Sequence, residues 1–176
     1  MGIATKVIVI LSSLAFSACS SVSLHPDSNN ESTRFAIALI GDFPYTEAKL
    51  IEADNLMVDL DDHKELSFII HDGDIKGGNV PCENSIYSDR LTTFNKSAHP
   101  LFYIFGDNEW TDCHREAAGR YDPYERLGLL RRLFAEFSNL SSLGAYKLPL
   151  ERQNKLFPEN IRWFKTNVMF IGLHMP

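Results

Sequence analysis

The sequence predicts an α/β domain with parallel central strands, and three observations carry that prediction. Three apolar, β-prone runs (34–40, Leu66–His71 and 101–105) are separated by stretches with helical periodicity. Each run leads into glycine and acids: Gly41-Asp42-Phe43-Pro44, Asp72-Gly73-Asp74 and Gly106-Asp107-Asn108-Glu109. The order β-α-β-α-β favours right-handed crossovers between parallel neighbours. Strands running the same way bring their carboxyl tips to one edge, where a rigid sheet positions chemistry-bearing loops.

The elements follow in order. Residues 34–40 are nearly all apolar, as expected for a strand covered on both faces, and Pro44 stops it. A helix is expected from Thr46 or Glu47 to Asp61. Leu50, Ala53, Met57 and Leu60 form its stripe, and Glu52, Asp54, Asp59 and Asp61 form a solvated face. After the second strand, a glycine-rich loop at 75–81 leads to a helix at about 84–97, with Tyr87, Leu91 and Phe94 as its buried side. His99-Pro100 ends the connection to the third strand. A polar and aromatic loop, 110–120, precedes a helix at about 123–137. Asp122 is suited to its N-cap and Pro123 to its first position, with Leu127, Leu130, Phe134 and Phe137 turned inward. Residues 138–153 read as loop. Strands 161–164 and 168–173, joined by Lys165-Thr166-Asn167, read as a hairpin. His63 and His99 are expected to face solvent, His114 to lie in a surface loop, and His71 to cap its strand.

The chain has 176 residues, the span of one domain, and a formal charge of −6. It has no basic patch suited to nucleic acid. Neither a GxGxxG after the first strand nor a GxxxxGK[ST] is present, so nucleotide-binding folds of those kinds are unsupported. Residues 1–18 have the shape of a secretory leader: Lys6 precedes the apolar run 7–11 with Leu14, Ala15 and Phe16. Phe16-Ser17-Ala18-Cys19 resembles a bacterial lipoprotein cleavage box, with Phe16 in place of the usual leucine. Cys19 is then the expected lipid anchor and 19–33 a polar tether. Localisation is then the periplasmic face of a bacterial membrane, by default the outer one; plain secretion is the alternative. Lipidation of Cys19 leaves Cys82 and Cys113, either bridged in an oxidising compartment or two separate thiols.

Clustered carboxylates repel one another unless a cation or protons neutralise them, so a metal site is the first expectation. The succession Gly41-Asp42-x-Pro44, Gly73-Asp74 and Gly106-Asp107-Asn108-Glu109, each after a strand, resembles the calcineurin-like metallophosphoesterases. That family opens with D-x-H, then G-D-x-x, then G-N-H-[DE], with further histidines later. The resemblance spans about 35–174 and implies an αββα sandwich. Because the later histidine motifs are missing here, the domain at 34–176 is expected to be truncated. It would keep mainly the first β-α-β-α-β half and the terminal hairpin, with the second sheet largely absent.

The resemblance implies two divalent metal ions, with Mn²⁺ or Mg²⁺ better suited to oxygen donors than Fe or Zn²⁺. Asp42 looks like the first-motif metal ligand. Asp74 looks like the carboxylate bridging two ions about 3.5–4 Å apart. Asn108 looks like the amide ligand of the second ion. The sequence departs from the pattern in two motifs. Pro44 replaces a histidine ligand, and Tyr45 beside it is either a phenolate donor or an ordinary packing residue. In the third motif Asn108 falls one position late and is followed by Glu109 where the family's assisting histidine is expected. Asn108 and Glu109 are therefore the catalytic candidates, with His71 and His114 as weaker substitutes for that histidine. Asp72 and Asp107 are expected to orient ligands or to shape the turns. Of the later histidines only His174 is a candidate. The implied activity is hydrolysis of a phosphate-ester substrate outside the cytoplasm. The competing expectations are a truncated, inactive lipoprotein that keeps the scaffold, and a module whose acids neutralise a partner's charge.

Overall fold

The computed structural model of the protein describes residues 34–175. The expected leader, tether and Cys19 anchor lie outside these residues. Among the described residues the order is β1 (Ala36–Ile40), α1 (Leu50–Asp62), β2 (Leu66–His71), α2 (Asn84–Lys96), β3 (Leu101–Tyr103), α3 (Pro123–Phe134), β4 (Glu151–Arg152), β5 (Ile161–Lys165) and β6 (Val168–Gly172). The fold is α/β. β1, β2 and β3 form a parallel sheet in that order, and β4, β5 and β6 form an antiparallel one.

Alternation along β2 and β3 sorts their side chains between two cores. Ile69, Leu101 and Tyr103 meet Met57, Leu60, Tyr87, Phe94, Leu130 and Phe134 of the three helices. Phe68, Phe102 and Ile104 point the other way, onto Ile161 and Trp163 of the antiparallel sheet. Trp163 stacks on Phe102 with ring centres 3.9 Å apart and on Phe170 at 5.5 Å. The layers are therefore helices, parallel sheet, antiparallel sheet. No helix among the described residues is long and apolar enough to cross a membrane.

Several expectations are corrected. The second sheet is present as three strands, because Glu151–Arg152 pairs with β5 within a stretch read as loop. β1 is an edge strand covered on one face only, and Leu39 is 65% exposed. Helix α1 starts at Leu50 after a 3₁₀ turn, Glu47–Lys49. Helix α3 stops at Phe134, and Phe137 is exposed beyond it. Asp122 caps α3 as expected, its carboxylate accepting the Glu125 N–H at 2.8 Å. β3 is shorter than expected, ending at Tyr103. His99 is buried instead of solvent-facing, because its ring bonds the Leu60 carbonyl at 3.0 Å and so satisfies the end of α1. Cys82 and Cys113 form a disulfide whose Cα atoms are 5.7 Å apart, tying the loops that follow β2 and β3.

Candidate metal centre

The ladder of the parallel sheet continues past the strands into their tips. Asp72 N–H donates to the Ile40 carbonyl at 2.9 Å, and Asp42 N–H donates to the Gly73 carbonyl at 3.0 Å. The chain then turns sharply at each acid. Asp42 and Asp74 both sit in left-handed backbone, at φ 55° and 57°. Such a conformation costs a non-glycine residue roughly 1–3 kcal/mol and is concentrated at functional sites.

His71 braces both turns from the helix side. Its Nε2–H faces the Phe43 carbonyl at 3.0 Å, and its Nδ1 accepts the Gly73 N–H at 3.3 Å. Both bonds require the neutral Nε2–H tautomer. Burial, the largest effect on this ring, also pushes its pKa below the ordinary histidine value. His71 is thus a support behind the tips.

The two turns bring Asp42 and Asp74 together at one point. The Tyr45 hydroxyl bonds Asp42 Oδ1 and lies 3.2 Å from Asp74 Oδ2. Asp74 Oδ1 accepts the Asn108 N–H at 3.3 Å. Burial, with the nearby charges of Asp107 and Asp42, holds the Asp74 carboxyl above its usual range despite that bond. Burial and the two acids likewise push the Tyr45 phenol up, so it is a neutral donor here. Asp42, Asp72, Asp74 and Asp107 line one crevice of about 500 Å³, which Trp163 and Phe170 of the antiparallel sheet also line.

Asn108 and Glu109 do not line this crevice. The Asn108 amide oxygen lies 2.8 Å from where a side chain on Gly78 would begin, a position that the Arg115–Asp112 ion pair also borders. Glu109 is fully buried. Its Oε1 accepts N–H groups from Gly106 at 2.8 Å and Asp74 at 3.2 Å, and the Tyr103 hydroxyl bonds it as well. Its Oε2 is buried without a partner. Burial pushes its carboxyl up to about 7, against the pull of the Tyr103 and Gly106 bonds. His114 is exposed and bonded to the Thr111 carbonyl. His174 takes the Trp110 indole N–H at 2.9 Å and lies 3.7 Å from Glu159.

One contributor had no sequence signal beyond its place in the glycine-rich loop. Lys76 is 1% exposed, and its ammonium donates to the Gly77 carbonyl at 3.0 Å. Burial pushes its pKa down, while the charges of Glu109, Asp112 and Asp74 hold it up. It offsets part of the repulsion among those acids.

The donor set meets the implied metals in part. Two carboxylates and a phenol converging on one point are hard oxygen donors of the kind Mg²⁺ and Mn²⁺ prefer. A second ion needs further ligands. Among the described residues no three His, Cys, Asp or Glu side chains converge closely enough to hold a metal. Comparison with protein-family models, with curated proteins and with solved structures finds no match to the chain.

Proposed function

We propose that the protein is a divalent-cation-dependent hydrolase of phosphate esters, built on a partial calcineurin-like αββα sandwich and working outside the cytoplasm. The observation that carries this reading is the convergence of Asp42 and Asp74, from two strand tips in left-handed backbone, on the Tyr45 hydroxyl. Asp42 and Asp74 would hold the ion, and Tyr45 is placed to give up its hydrogen bonds or join them as a ligand. A bound divalent ion lowers the pKa of its water and neutralises phosphate charge. The protein's own part is positional: His71 and the Asn108 N–H fix the acids, and the ammonium of Lys76 interacts favourably with Asp74.

A second reading has its own observation. The Asn108 amide faces Gly78 and Arg115 instead of the crevice, and Lys76 and the Tyr45 proton already relieve the acids. A scaffold of that kind holds at most one weakly bound ion and turns nothing over.

Mn²⁺ titration with a nitrophenyl phosphate assay separates the two readings. Under the hydrolase reading Mn²⁺ stimulates turnover. Asp74→Asn then lowers it by about a hundredfold or more, while Asp59→Asn, on the exposed side of α1, leaves it at wild-type level. Equal effects of the two variants would refute the site. Mn²⁺ binding without turnover would establish the scaffold.

A further inference from the structure

Glu109 is a catalytic candidate by its place in the third motif, yet its side chain is fully buried and does not line the crevice. What it touches is the backbone that carries Asp74. The half-buried N–H groups of Asp74 and Gly106 both donate to its Oε1, and that oxygen is fully buried, so losing the bonds would leave its acceptor capacity unmet. Gly106 lies directly beneath the Asp74 carboxylate: a Cβ there would come within 2.1 Å of Asp74 Oδ1 and 2.4 Å of its backbone nitrogen. One carboxylate oxygen thus binds two backbone segments that are already in contact.

Glu109 is itself anchored on both sides. Tyr103, on the helix side of β3, bonds the same Oε1, and the Tyr87 hydroxyl of α2 donates to the Glu109 carbonyl at 2.9 Å. The left-handed turn at Asp74 therefore has an external brace that runs from Asp74 through Glu109 to β3 and α2.

We propose that Glu109 is a positioning residue: through Oε1 it holds the Asp74 turn against Gly106, and so sets the geometry in which Asp74 meets a divalent cation. This role rests on the cation reading above. It requires an acceptor oxygen at the right reach and does not require a charge. Glutamine keeps the reach and the acceptor, whereas aspartate keeps the charge but is one methylene short.

The test compares Glu109→Gln and Glu109→Asp with the wild type by two measurements on folded protein. Mn²⁺ affinity is read by calorimetric titration, and protection of the Asp74 and Gly106 amides by hydrogen exchange. Glu109→Gln is expected to keep both protections and an affinity within about threefold of wild type. Glu109→Asp is expected to lose protection at both amides and to weaken Mn²⁺ about tenfold or more, the scale on which residues orienting metal ligands act. The proposal is overturned if Glu109→Gln loses affinity as fully as Glu109→Asp, since charge would then be the requirement. It is also overturned if Glu109→Asp keeps wild-type affinity and protection. Should the wild type bind no Mn²⁺, the cation reading and the cation half of the proposal fail together. The exchange pattern then decides the brace alone: protection kept by glutamine and lost by aspartate upholds it, and any other pattern refutes it.

Discussion

On the helical face of the parallel sheet, directional bonds from His71, Tyr103 and Glu109 converge on the strand tips. On the opposite face the antiparallel sheet is held by apolar contact. There the Trp163 indole N–H is buried without a partner, and Leu39 and Ile171 are 65% and 58% exposed. Apolar burial scales with area and hardly depends on orientation, so it brings surfaces together without setting angles. Hydrogen bonds in a dry interior fix position, because a misplaced partner leaves a polar group unmet. The first face should therefore control the geometry of the crevice, while both faces support the fold.

The largest test of that division lies in the aromatic layer. Phe68 is fully buried against Phe35, Phe102, Trp163 and Phe170. Phe68→Ala should cost about 3–5 kcal/mol in urea denaturation, yet the molecules that remain folded should bind Mn²⁺ as the wild type does. An affinity loss matching that of Asp74→Asn would erase the distinction between the faces. Replacing Cys82 and Cys113 with alanine should cost about 3.7 kcal/mol, given a sequence separation of 31. Here Mn²⁺ affinity should fall as well, because the bridge ties the loops that follow β2 and β3.

A third test uses pH. Glu159 is 4% exposed and takes two bonds from Arg131 of α3, at 2.9 and 2.6 Å. Burial pushes its carboxyl up, but His174 and Arg131 outweigh this and hold it at about 2, below the ordinary 4.5. A depressed carboxyl adds stability above its unfolded value and loses it as pH falls through its folded one. The contribution should be full above pH 4.5 and vanish toward pH 2, with a size of roughly 3 kcal/mol. Urea midpoints of wild type and Glu159→Gln should differ at pH 7 and converge near pH 2. A constant gap across that range would assign the effect to packing. The smallest effect is expected at the start of α3. Asp122→Ala should lose about 1 kcal/mol by freeing the Glu125 N–H, with no change at the crevice.

The outcome at individual residues shows what a sequence makes legible. The Asp122-Pro123 cap and the three parallel strands were readable, because local chemistry specifies the cap and apolar runs alternating with helical periods specify the strands. β4 was not, because two polar residues carry no period and pair only through the long-range partner β5. Asp42 and Asp74 could be placed at strand tips, and their convergence follows from parallel neighbours in register. The directions taken by Asn108 and Glu109 were hidden. They lie one residue apart in a tight turn, where rotation about the chain decides between crevice and interior and leaves no pattern in the sequence. Lys76 was hidden for a different reason. A buried lysine is uncommon, and its position depends on acids brought from residues 109 and 112 by folding.

Gly106 carries a consequence beyond the turn it shapes. With no room for even one carbon above it, Gly106→Ala would lift the Asp74 carboxylate off its seat while leaving every charge in place. On the proposed cation reading, a methyl group at this position would be enough to weaken the hold of the crevice on a metal. A neutral, apolar change at a position with no functional group of its own should mimic the loss of an acid.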